Sequence, residues 1–300
     1  MAEPRITEYS EQNILNEQRD TAYGTLGVQN RVEEGSTSVR QSGATIGGLV
    51  GAHNIPISDF NLQVVSGSIT GYTSVNKFGK NDVCGATQEE VWDGNRAYIW
   101  ATTASITHIR SAVDSAITQG VVCEVQGLDT NYDLVVQNAT TDGADSTTEV
   151  ALTTALRRVF RVKVLDDTTM DQDIWVGPNP ATAANSSAIV QAGNNQTLMA
   201  IYTVPAGKTA YMTNYYATAN PNSAAGTLFI TKLWARDNTN GYAKQLKHTK
   251  GLDKDATSGF QHPFTPYYKF LEKTDIFITG EAGSNTVSIS AGFDLILIDN

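Results

Sequence analysis

The sequence predicts an all-β protein, built as two β-sandwich units of jelly-roll or immunoglobulin-like character behind an extended N-terminal arm. Three observations predict it. Charged residues make up 17 % of the 300-residue chain and hydrophobic ones 40 %, whereas an average soluble domain is roughly 25 % charged. The polar share falls instead to Thr, Ser, Asn and Gln, which long helices use sparingly. Short runs of alternating β-favouring residues then recur, separated by Gly, Asn and Asp turns at the spacing of a sandwich or barrel.

The elements follow in order. Residues 1–50 read as the arm. "EYSEQNILNEQRD" has the pattern of one short helix, with Ser10 as its cap and Ile14 and Leu15 as a small apolar face. The Gly-rich polar stretch after it lacks sustained periodicity and cannot order itself by burial. It is read as a floppy tail or as an arm that orders across a neighbouring subunit. The recurrent Leu26, Val28, Val32, Val39, Ile46, Leu49 and Val50 favour the arm.

Residues 51–185 read as the first sandwich. "FNLQVVSGSITGYTSV" alternates around Gly67 and Gly71, and "AYIWATTASITHIRSAV" sets Tyr98, Trp100, Thr102 and Ala104 on one parity. "GVVCEVQGLDTNYDLVVQNATTDGADSTTEVAL" reads as strand, turn, strand, loop, strand, and "FRVKVL" as one more strand. The chain loosens between Asp166 and Asn194, where a boundary is expected. Residues 186–300 read as the second sandwich, with strands in "GTLFITKLWAR", "GYAKQLKHT", "YYKFLEKTDIFITG" and "NTVSISAGFDLILID".

Within this second unit, Gly207-Lys208-Thr209 invites comparison with a phosphate loop. That loop needs a glycine five residues before Gly207, where Tyr202 stands, and a helix after it. Pro205 and Gly207 suit a tight turn instead, so residues 198–216 are expected to form a hairpin.

Composition excludes several classes. A net charge of −10 disfavours nucleic acid and anionic membrane surfaces as partners, although Arg157, Arg158, Arg161 and Lys163 leave room for a local basic patch. No apolar leader and no run of eighteen apolar residues occurs, so neither a signal peptide nor a membrane span is expected. Cys84 and Cys123 read as reduced core residues. His53, His108, His248 and His262 stand isolated in sequence, without ligand spacing, so no metal or other cofactor is expected. Asp166, Asp167, Asp171 and Asp173 lack the order of an EF-hand and read as a solvated turn. No nucleophile elbow appears, and no catalytic residue is assigned. Trp92, Trp100, Trp175, Trp234, Tyr267 and Tyr268 have the faces for sugar stacking but are more often core anchors.

One stretch is more distinctive. Phe78-Gly79 with Asn81, then Glu89-Glu90-Val91-Trp92-Asp93-Gly94, then Tyr98 and Trp100, resemble virion structural proteins of tailed bacteriophages, of the marine and freshwater type. Gly127-Leu128-Asp129 with Tyr132, the Arg158–Val162 run and "GNNQTLMAIYTVPAGKTAY" extend the likeness over roughly residues 76–300. The resemblance implies a non-enzymatic virion protein and carries over no catalytic residue. The expectation is a head decoration or cement protein, homo-oligomeric and trimeric. It would bind the major capsid protein or other virion proteins through Ile14, Leu15, Leu26, Val28, Val32, Val39, Ile46 and Leu49. The alternatives are a neck or tail component or a host-binding fibre or adhesin, and, from another class, a glycan hydrolase or lectin module.

Overall fold

The computed structural model describes residues 59–221, 228–253, 259–283 and 286–300. The expected arm, with Ile14, Leu15, Leu26, Val28, Val32, Val39, Ile46 and Leu49, lies outside these residues. So does His53.

Sixteen strands and one short helix are present among the described residues. The protein is all-β, as composition and alternation predicted. The helix α1 (Phe60–Val65) corrects one expectation, because "FNLQVV" reads as a strand by alternation. Asp59 decides the matter: its Oδ1 accepts the Asn61 N–H at 2.7 Å, and its carbonyl accepts the Gln63 N–H at 3.0 Å. An N-cap aspartate thus starts a turn that the side-chain pattern does not advertise.

Two antiparallel sheets face one another across a first core. One sheet runs β1 (Tyr72–Cys84), β16 (Val287–Asp299), β11 (Lys208–Pro221), β14 (Gly259–Phe270). The other runs β10 (Ile201–Thr203), β15 (Thr274–Ala282), β12 (Leu228–Asp237), β13 (Gln245–Asp253), with β2 (Glu89–Glu90) also pairing β15. Met212, Tyr215, Phe293 and Leu295 from the first sheet meet Phe229, Leu233, Ile276 and Ile278 from the second.

Two further sheets enclose a second core. They run β6 (Val150–Leu156), β3 (Ile106–Ser111), β8 (Ile174–Gly177), β9 (Ala188–Val190), and β5 (Leu134–Thr140), β4 (Val122–Leu128), β7 (Arg158–Val164). Ile109, Val125, Leu156, Val162 and Ile174 fill this core. All of its strands fall between β2 and β10, so this sandwich is inserted into the other. β8 and β9 pair with each other across residue 185, while β1 and β2 pair with β16 and β15. Residues 64–300 form one compact unit.

The sheet containing β15 serves both cores. Ile276 and Ile278 point into the first, while Phe277 points into the second. Burial along β15 is therefore nearly continuous, whereas β12 beside it alternates. A strand covered on both faces has no polar parity to keep.

The turn at Pro205–Gly207 is present, with Gly207 at φ +71° and the Lys208 N–H bonded to the Pro205 carbonyl at 3.3 Å. It is not a hairpin. β10 joins β15 and β11 joins β16 and β14, so the turn carries the chain from one sheet to the other. Local turn chemistry fixes the reversal but not the partner, and here the apolar faces of both runs choose opposite sheets.

Candidate functional site

The residues carrying the sequence likeness are core joints. Glu90 accepts the Tyr98 N–H at 2.9 Å and the Trp100 indole N–H at 3.1 Å, drawing residues 97–100 inward without strand pairing. The expected strand through Tyr98, Trp100, Thr102 and Ala104 is accordingly absent, and β3 starts only at Ile106. Trp92 is fully buried and donates its indole N–H to the Arg96 carbonyl at 2.6 Å, while the Arg96 guanidinium lies 4.8 Å from its ring centre. A Cβ on Gly94 would fall 2.1 Å from that ring, and one on Gly79 2.3 Å from the Ala200 nitrogen. These glycines mark close approach.

Arg158 belongs to a buried ionic joint. It donates to both oxygens of Asp275 at 3.0 and 3.1 Å, Arg236 donates to Oδ2 at 2.6 and 3.0 Å, and Thr203 donates to Oδ1 at 2.6 Å. Trp100 lies against both guanidinium groups, 5.3 and 4.5 Å from its ring centre. Burial alone would raise the Asp275 pKa, but Arg158, then Arg236 and Thr203, hold it below the usual carboxylate range. The expected basic patch is dispersed. Lys163 pairs with Glu124 at 3.0 Å, Arg157 lies 4.8 Å over Tyr132, and Arg161 donates to the Asn76 carbonyl at 3.1 Å.

The acidic loop is likewise apportioned. Asp166 accepts the Val122 N–H at 2.9 Å, Asp171 the Ser115 hydroxyl at 2.7 Å and Asp173 the Ala192 N–H at 2.9 Å. Cys84 lies in the first core and Cys123 in the second, both unpaired. Burial pushes both thiols up to about 12.

Two places face outward with a different character. The first is the open side formed by β13 and β14, the edge strands of the facing sheets. Most of their side chains are exposed, including Leu246 at 46 % and Tyr267 at 48 %. The fold corrects the isolation of the histidines here: His248 on β13 stacks on His262 of β14 with centroids 4.3 Å apart. Tyr215 Oη lies 2.5 Å from His248 Nδ1, and Phe260 and Phe264 close the cluster. Burial, then His262 and Lys250, lower the His248 pKa. Lys247 lies 5.5 Å over Tyr268 and Lys250 stands near His248, so this side of an acidic protein is basic and aromatic. Beside it is a hollow of about 220 Å³ lined by Asp237, Tyr242, Gln245, Lys247 and Tyr268, among others. Only cross-strand juxtaposition assembles this surface, since each His lies alone in sequence.

The second is a cleft of about 320 Å³ on the opposite edge, between β1 and β5. Lys77 and Arg161 line it together with Leu134, Val136, Phe160 and Tyr202. Lys77 is only 3 % exposed and donates its ammonium to the Phe160 carbonyl. The alternation of "VNKFGK" gives no warning of a buried lysine.

No protein-family model matches the sequence, and no characterised protein matches it in direct comparison. Among solved structures it is similar to the CBM22-1 and GH10 modules of the Clostridium thermocellum endo-1,4-β-D-xylanase 10B, complexed with xylohexaose. The identity is 9 % and the TM-score 0.19, over 65 % of this chain and 28 % of that one. The chain thus spans under a third of that protein, and the likeness supplies no argument about fold or function.

Proposed function

We propose that this chain is a non-enzymatic structural protein of a bacteriophage virion, a decoration or cement protein of the head. It holds the major capsid lattice through residues 1–50 and assembles as a trimer. One observation carries the assembly reading: the side formed by β13 and β14 leaves nine- and twelve-residue edge strands with exposed aromatic and aliphatic side chains. Long edges are a liability in a solitary molecule and a contact face in a repeated one. Pro263 and Pro266 within β14, and Lys247 and Lys250 on β13, discourage indiscriminate strand addition. The face therefore docks through side chains, and repetition in a lattice multiplies a modest contact.

The hollow beside Tyr242 and Tyr268 favours a second reading, a neck or tail component or host-binding fibre, because rings beside Asp237 and Gln245 suit a sugar. Antibody-gold labelling of intact particles, with antibodies against residues 191–300, separates the two. Label spread over the head is the expected result, and deleting residues 1–50 then abolishes binding to empty capsids. Label confined to the neck or tail overturns head decoration and promotes the second reading.

A further inference from the structure

The β1–β5 cleft contains an electrostatic imbalance that packing does not explain. Lys77 on β1 is almost fully buried, yet among the described residues it has no carboxylate within ion-pair distance. Burying an uncompensated ammonium is costly, and its hydrogen bond to the Phe160 carbonyl replaces only part of its hydration. The charged groups around it do not repair this. Arg161 on β7 adds a second cation. Asp93, after β2, has its own carboxyl pKa raised well above the usual range, chiefly by burial, which weakens it as a counter-charge. Lys208, at the cleft wall, is already paired with Asp299. Burial first, and Arg161 second, push the Lys77 ammonium down to about 7.

Beside the polar Thr73, Ser74, Asn76 and Gln126, the lining has an apolar part. Leu134 is 51 % and Val136 56 % accessible, with Phe160 and Tyr202 behind them. A volume of about 320 Å³ falls in the range of small-ligand sites.

We propose that this cleft binds a carboxylate carried on an apolar body, with Lys77 and Arg161 holding the anion and Leu134, Val136 and Phe160 holding the apolar part. The same chemistry can arrive as a free small acid or on a segment in which an acid adjoins an apolar residue. Val32-Glu33-Glu34 of another copy is one such segment. The inference is independent of the virion reading, and gold labelling has no bearing on it.

The test uses the full chain and the reactivity of Lys77. Acetylation of each lysine by an amine-reactive ester is followed by peptide mass spectrometry, with octanoate, octanol or a synthetic peptide of residues 28–38 present. Octanoate or the peptide is expected to slow Lys77 acetylation about tenfold, the change that ~1.4 kcal/mol of added protection gives, leaving Lys247 unaffected. Octanol, which lacks the charge, is expected to do nothing. Protection by octanoate alone assigns a free acid, protection by the peptide alone assigns a segment, and both support the site. Calorimetry of whichever probe protects should show proton uptake at about pH 8, because an anion restores the Lys77 proton. Arg161→Gln should weaken that binding about tenfold and Lys77→Met should remove the proton uptake. Equal acetylation with every probe, or unchanged binding in Arg161→Gln, overturns the proposal.

Discussion

At the scale of single residues, what reads in the sequence as a family mark is packing geometry. Trp92 fills the second core and Gly94 must stay small because the ring of Trp92 occupies the space of its Cβ. Gly94→Ala is therefore expected to cost about 1–3 kcal/mol of stability by overpacking. Urea denaturation measures this, and a change within a few tenths would show that the loop yields freely. Lys77 gives a second prediction. Its folded pKa of about 7 lies below the ordinary lysine value, so between the two the unfolded chain binds more protons than the folded one. Stability then rises with pH from about 7 to 9, and Lys77→Met flattens that rise. Above about 9 the raised thiols of Cys84 and Cys123 act oppositely, since the unfolded chain loses those protons first. A wild-type stability that is flat or falling from pH 7 to 9 contradicts this account. The sequence conveyed that Cys84 and Cys123 are core residues. It did not convey that Lys77 is, because a lysine within an alternating strand is ordinarily its solvated parity.

At the scale of elements, strands with their own alternation and clear turns were legible: β4, β5, β6, β7, β12, β13 and β16 fall where the pattern puts them. Three readings failed for three physical reasons. α1 was decided by the Asp59 cap, the irregular course of residues 97–105 by side-chain hydrogen bonds to Glu90, and the Pro205 turn by sheet partnership. Each involves a choice between two locally acceptable structures. The His248–His262 pair was illegible for a related reason, since stacking between edge strands of different sheets leaves no mark at any fixed spacing. The prediction that belongs here concerns the open side. Leu246→Lys with Tyr267→Lys changes exposed positions and is expected to leave the melting temperature of the isolated chain unchanged within the effect of about 0.5 kcal/mol. Self-association, read by light scattering, is expected to fall at least several-fold. Undiminished association would remove this side from the assembly interface.

At the scale of the whole molecule, the two cores are tied through one sheet. β15 packs Ile276 and Ile278 on one side and Phe277 on the other, and the Asp275 joint binds β7 to β12 beside it. Neither core keeps its lining if β15 leaves. The four tryptophans all lie in or against the second core, whereas β11 and β16 line the first. Tryptophan fluorescence and hydrogen exchange in β11 and β16 are therefore expected to report the same unfolding midpoint. Separated midpoints would show that the cores are autonomous. The β1–β16 pairing carries one last consequence. Tyr72 lies opposite Ile298, and the Asp299 N–H bonds the Gly71 carbonyl at 2.9 Å, so the C-terminal end of this body lies beside its first strand at the usual interstrand distance of about 5 Å. A few residues of linker would join Asn300 to Tyr72, and a new opening at the exposed Thr239–Gly241 turn would give a circular permutant that retains every strand pair while six strands of the first sandwich, β13–β16 with β1 and β2, are made before the inserted one, where the native order makes two.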